Sequence, residues 1–131
     1  MQTSLFKKSA VLIEKNPLHC MLYQDVLDAN GFDVYAAKSA MDGLIKIKET
    51  QQDLVVINTE IAEESFVEKL ISKIKAERSS NFMPIVGLSV YDSECKKNIA
   101  NALDIFLTKP ISIDKLVQSI FAYIESRVNG S

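Results

Sequence analysis

The residues Leu54-Val-Val-Ile57 run apolar without a break, and the chain turns polar at once at Asn58. A short continuous run of this kind is the pattern of a strand buried on both faces, typical of the middle of a parallel sheet. In open parallel sheets, ligands and chemistry sit just beyond the carboxyl ends of the central strands. Asn58 occupies that place, so what an amide can do there governs the function.

The rest of the chain alternates around this run. Ala10 to Ile13 reads as a first buried strand, and Asn16-Pro17 opens a helix, with Asn16 as N-cap and Pro17 at the first helical position. Leu18, Met21, Leu22, Val26 and Ala29 are expected on its buried face, and Asn30-Gly31 stops it. Phe32 to Ala37 is a second strand. Ser39 caps a second helix, with Ala40, Leu44 and Ile47 inward and Gly43 as an interruption. A third helix runs from about Glu63 to Ala76, with Phe66, Leu70, Ile71 and Ile74 as its expected buried stripe. Ser79 to Asn81 is a loop, and Met83 to Leu88 a fourth strand. A short polar helix is expected over Asp92 to Ala102, then a fifth strand at Ile105 to Leu107. A final helix is capped by Ser112 and carries Leu116, Val117, Ile120, Phe121 and Ile124. Strand then helix, five times over, argues for one α/β domain with a doubly wound, five-stranded parallel sheet. Its expected bounds are 8–127, with flexible tails at 1–7 and 128–131.

Composition narrows the function classes. A chain of 131 residues with 47% hydrophobic content is long and apolar enough for a proper core. Its apolar runs are too short to span a bilayer, and no signal-peptide pattern opens it. The net charge of −2, with Arg78 and Arg127 as the two arginines, gives no support to nucleic-acid binding. Cys20 and Cys95 are isolated, which fits free thiols in a reducing cytoplasm. No GxGxxG or P-loop is present, and no nucleophilic triad has supporting spacing. His19 has no neighbouring ligand except Cys20 and reads as an exposed helix residue.

Polar residues follow directly after the buried strands: Glu14 and Lys15 after the first, Asn58 after the third, Ser89 after the fourth and Lys109 after the fifth. In a doubly wound sheet they converge on one crevice. The fragments Val11-Leu-Ile-Glu-Lys-Asn-Pro17, Asp53-Leu-Val-Val-Ile-Asn58, Pro84-Ile-Val-Gly-Leu-Ser89 and Leu107-Thr-Lys-Pro110 stand in one register across the domain. In this the chain resembles the receiver domains of two-component response regulators. Within them it looks most like the stand-alone regulators of the DivK type, through Asn16-Pro17 and Lys109-Pro-Ile-Ser112.

The resemblance implies a flavodoxin-like fold with strand order 2-1-3-4-5. It also implies a crevice where two acids and an aspartate hold magnesium, and where the aspartate takes a phosphoryl group from a histidine kinase. Ser89 and Lys109 match the residues that bind the phosphoryl oxygens, and Glu14 matches the first acid. The Lys-Pro bond at Lys109 is implied to be cis. Lys15 stands at the second acid and Asn58 at the phospho-accepting aspartate, while Ala62 and Phe66 replace a usual proline and glycine. Three acids and a lysine would carry −2; Glu14, Lys15, Asn58 and Lys109 carry +1. Magnesium wants carboxylate oxygens, and an amide is no nucleophile.

The expectation is a pseudo-receiver: no enzyme, no cofactor and no metal, acting in the cytoplasm through protein partners such as a histidine kinase. Lys15 is expected to pair with Glu14 or Glu60 in the metal's place. The resemblance puts the contact face on the fourth helix, fifth strand and last helix, including Phe106, Lys109 and the exposed side of 112 to 126. That face also suits a homodimer. Two other readings follow from the same residues. One is a receiver phosphorylated by an unusual route, for instance at Glu60. The other is a module binding a small anion between Lys15, Ser89 and Lys109.

Overall fold

The computed structural model describes residues 8–78 and 83–129. The expected N-terminal tail, the loop at Ser79 to Asn81 and the last two residues lie outside that range. The order is β1 (Lys8–Ile13), α1 (Pro17–Ala29), β2 (Phe32–Ala37), α2 (Ala40–Glu49), β3 (Leu54–Asn58), α3 (Glu64–Glu77), β4 (Ile85–Ser89), α4 (Lys97–Ala102), β5 (Ile105–Thr108) and α5 (Ile113–Asn129). All strand pairings are parallel, and the sheet order is β2-β1-β3-β4-β5. This is the flavodoxin-like arrangement.

Strand periodicity divides the core into two halves. Val11, Ile13, Val55 and Ile57 face one layer with Leu44, Ile47, Val67, Leu70, Ile71, Ile74 and Ile99 of α2, α3 and α4. Ala10, Leu12, Leu54 and Val56 face the other with Cys20, Tyr23, Leu27, Leu116 and Ile120 of α1 and α5. Every residue of β3 and β4 is buried, as strands covered on both faces must be.

Local chemistry sets the helix ends. The Asn16 side chain accepts from the N–H groups of Leu18 and His19 at 3.0 and 3.1 Å. Gly31, at φ +94°, provides the left-handed turn after α1. Gly43 lets α2 sit close on β1: a Cβ there would lie 2.5 Å from the buried Ile13 Cδ1, so the Ile13 side chain would have to shift. Ser112 Oγ accepts from Lys115 N at 3.0 Å and starts α5.

Several sequence expectations are corrected. Residues Leu18, Met21 and Leu22 are 74%, 58% and 42% exposed, and the buried face of α1 is Cys20, Tyr23, Val26 and Leu27. Of the expected stripe Val26 alone is buried, and Ala29 is exposed too; apolar residues run most of the way round this helix, so periodicity alone does not select the covered face. Phe66 is exposed, with Val67 in its place in the core. Phe121 is also exposed, although its ring meets Phe32 at 6.2 Å between centroids. Helix α4 is only six residues, because Asp92 accepts from Cys95 N and closes a separate turn before it. Helix α5 continues to Asn129, past the expected boundary at 127.

Candidate functional site

Strand register brings the site together. Ile13 pairs with Ile57, so the next residues, Glu14 and Asn58, emerge side by side at the carboxyl edge. Asn58 pairs with Leu88 and Ser89 with Thr108, which sets Ser89 and Lys109 at the same edge. The Lys109-Pro110 bond is cis.

Glu14 is 1% exposed, and its carboxylate is fully engaged. Oε1 receives the Lys109 ammonium at 3.0 Å. Oε2 accepts from Asn58 Nδ2 at 3.0 Å and from the Asn16 N–H at 3.1 Å. Lys109 is nearly buried itself; its Nζ lies 3.0 Å from His19 Nδ1 and 5.6 Å from the Tyr23 ring centroid. Burial first, and then the charge of Glu14, raise the Tyr23 phenol above its ordinary value.

The Asn58 amide bridges two halves of the site. Its nitrogen faces Glu14, and its oxygen accepts from the Glu60 N–H at 2.9 Å. This orientation follows from chemistry, since an ionised carboxylate only accepts and the amide must present its NH2 group to it.

Glu60 gathers the second half. Its Oε2 accepts from Ser89 Oγ at 2.7 Å and Thr59 Oγ1 at 2.8 Å, with Lys96 Nζ at 3.3 Å; its Oε1 accepts from Val90 N at 3.0 Å. Burial pushes the Glu60 carboxyl up, but the hydrogen bonds from Ser89, Val90, Thr59 and Lys96 together outweigh it. The net position is below the ordinary value.

Of the residues expected at the site, Glu14, Asn58 and Lys109 form one connected network, joined through Asn58 to Glu60 and Ser89. Lys15 stands apart. It is exposed, and the two carboxylates expected to receive it are held by Lys109 and Lys96 instead. The anion crevice expected between Lys15, Ser89 and Lys109 is therefore not assembled, since each of the last two is turned to a different carboxylate. Lys109 is also withdrawn from the expected contact face, whereas Phe106 is half-buried on the edge strand β5. His19 is half-buried against Lys109, not an exposed helix residue. Sequence reasoning missed His19, Tyr23, Thr59 and Lys96. The first two had a usable signal, because the first turns of α1 begin directly beneath Glu14. Among the described residues, no group of three or more His, Cys, Asp or Glu side chains could hold a metal ion.

Comparisons with known proteins agree with this architecture. The family model described as the response regulator receiver domain matches residues 10–121. The polar-differentiation response regulator DivK of Brucella ovis is 21% identical over 119 residues, covering 89% of this chain and 96% of that protein. DivK of Brucella anthropi is 20% identical over the same shares. A CheY-like receiver domain protein from Methanospirillum hungatei superimposes with a TM-score of 0.82 at 19% identity, covering 96% of this chain and 100% of that one. The receiver domain of sensor histidine kinase PA1611 from Pseudomonas aeruginosa, solved with magnesium in its active-site cleft, gives 0.75 at 17% identity, covering 92% and 100%. Receiver domains are signalling modules that interact with proteins such as histidine kinases. With its strand order, its carboxyl-edge site and a family match over most of its length, the chain belongs to the response regulator receiver domains of two-component signalling.

Proposed function

We propose that this receiver domain is a pseudo-receiver, which signals by binding other proteins with no phosphoryl transfer at position 58 and no resident magnesium ion. The observation that carries this reading is the Asn58 Nδ2 hydrogen bond to Glu14 at 3.0 Å. An amide there offers neither a nucleophilic oxygen nor a charge to a cation. The remaining acid is in no position to compensate: Glu14 already accepts three donors, one of them an ammonium. The donor set therefore does not fit a magnesium ion.

The same reading makes the chain a non-enzymatic module of the cytoplasm, whose working unit runs from residue 8 to the end of α5 at Asn129. No helix among the described residues is long and apolar enough to cross a membrane. Its partner is a histidine kinase or another signalling protein. Exposed Ile113 and Phe121 on α5 support contact through the last helix, and α1 separately exposes Leu18, Met21 and Leu22. Incubation with acetyl phosphate and magnesium, followed by intact-mass analysis and magnesium titration, tests the reading. No phosphorylated species and no saturable magnesium binding are expected. A phosphoryl adduct on this chain, or tight magnesium binding, would overturn it.

A further inference from the structure

The Glu60 carboxylate takes four donors from three separate places in the chain. Thr59 is its own neighbour; Ser89 and Val90 stand at the end of β4; Lys96 immediately precedes α4. Two hydroxyls, a backbone N–H and an ammonium converging on one point form a receptor for an oxyanion, since hydrogen bonds to an ionised acceptor are the strong ones. The cradle is built rather than incidental. Ser89 is wholly buried, and its oxygen accepts from Tyr91 N at 3.0 Å while its hydrogen goes to Glu60. The Lys96 side chain is 12% exposed and lies over the Tyr91 ring, 5.2 Å from the centroid. The Glu60 backbone is held in turn by Asn58.

These contacts grip both ends of the 90–96 segment, whose Val90 and Tyr91 side chains are exposed. Helix α4 has no side-chain cap of its own at its start. We propose that Thr59, Ser89, Lys96 and the Val90 N–H form an oxyanion-binding cradle whose ligand is the chain's own Glu60 carboxylate. The tethered anion holds the β4–α4 segment in one position with no external anion, and it closes the cradle to free phosphate or acetate. This deepens the pseudo-receiver reading and rests on it for its functional meaning, namely that the segment presents Val90 and Tyr91 without an input of phosphoryl groups.

Glu60→Ala removes the ligand and leaves the cradle. In chloride buffer, hydrogen exchange in 90–96 should then rise by about tenfold or more, the factor that losing one hydrogen bond to a charged group would give, while α1 and α5 keep their protection. Added inorganic phosphate or acetate should restore protection and raise the melting temperature of Glu60→Ala, and leave wild type unchanged. Adding Lys96→Ala to that variant should abolish the rescue. Equal effects of phosphate on both proteins, or none on the variant, would overturn the proposal. Should Glu60→Ala not fold, the isosteric Glu60→Gln carries the test, and unchanged exchange in its 90–96 segment would refute the tether. Phosphorylation at Asn58 in the acetyl phosphate experiment would overturn the earlier reading and leave these outcomes standing.

Discussion

Lys109→Met is the sharpest test of the buried network, because it removes one charge and keeps most of the aliphatic stem. Glu14 would then hold a carboxylate at 1% exposure with its ammonium partner gone. Removing one member of a buried ion pair costs about 3–5 kcal/mol, since the survivor is left buried and uncompensated. The Asn58 and Asn16 donors remain on Oε2, which argues for the lower end of that range. Loss of the Lys109 contact with the Tyr23 face adds roughly 0.5–1 kcal/mol. The sum is about 3–4 kcal/mol, or a fall in melting temperature on the order of 12 °C for a domain of this size. Denaturant unfolding and calorimetry would measure it. The double variant Glu14→Gln with Lys109→Met should recover at least half the loss, because it removes both charges together. A Lys109→Met cost below about 1 kcal/mol, the level of an exposed pair, would refute the buried-pair reasoning.

Asn58→Asp would set a second carboxylate 3.0 Å from Glu14 where an N–H donor now sits, and should destabilise the domain by about 1–3 kcal/mol. Magnesium should raise the melting temperature of that variant and not of wild type, as thermal melts with and without the ion would show. Gly43→Ala would ordinarily gain about 1 kcal/mol of helix propensity, but its Cβ would meet buried Ile13 at 2.5 Å. Overpacking of about 1–3 kcal/mol should win, and a stabilised variant in chemical unfolding would contradict the close approach of α2 to β1. The Glu60 carboxyl sits below its ordinary value of 4.5 when folded, so its contribution is complete above that pH and fades as pH falls through the folded value. Glu60→Gln should therefore flatten the acid side of the stability profile measured by urea titration.

Much of the fold was legible because a doubly covered parallel sheet writes itself into sequence as short apolar runs between helical patterns. The four residues Leu54 to Ile57 and the cap at Asn16 needed no tertiary information. The carboxyl-edge positions of Glu14, Asn58, Ser89 and Lys109 followed from the same alternation. Their pairing did not. Nothing in the sequence says that Lys96, rather than Lys15, reaches Glu60, because the choice depends on how the 90–96 segment folds back across the end of β4. Nor does it say that Lys109 ends in a cage of Glu14, His19 and Tyr23. Long side chains are placed by the geometry of the finished sheet, which spacing along the chain encodes only coarsely.

The misread apolar residues carry information of their own. Leu18, Met21 and Leu22 sit at spacings of three and four on α1 and are expected inside by periodicity; all three are exposed. Periodicity registers an apolar stripe without telling whether the protein's own sheet or another molecule covers it, and here α1 carries both kinds. Cys20, Tyr23 and Leu27 meet the sheet, while Leu18, Met21 and Leu22 are exposed. A contiguous exposed apolar stripe is disfavoured on a protein that works alone. On the proposed pseudo-receiver reading, a site whose two carboxylates are already matched by Lys109 and Lys96 leaves surface as what the domain offers to partners. The stripe on α1 and the Val90–Tyr91 segment are two such exposed surfaces, and the second is held by Glu60 and Ser89.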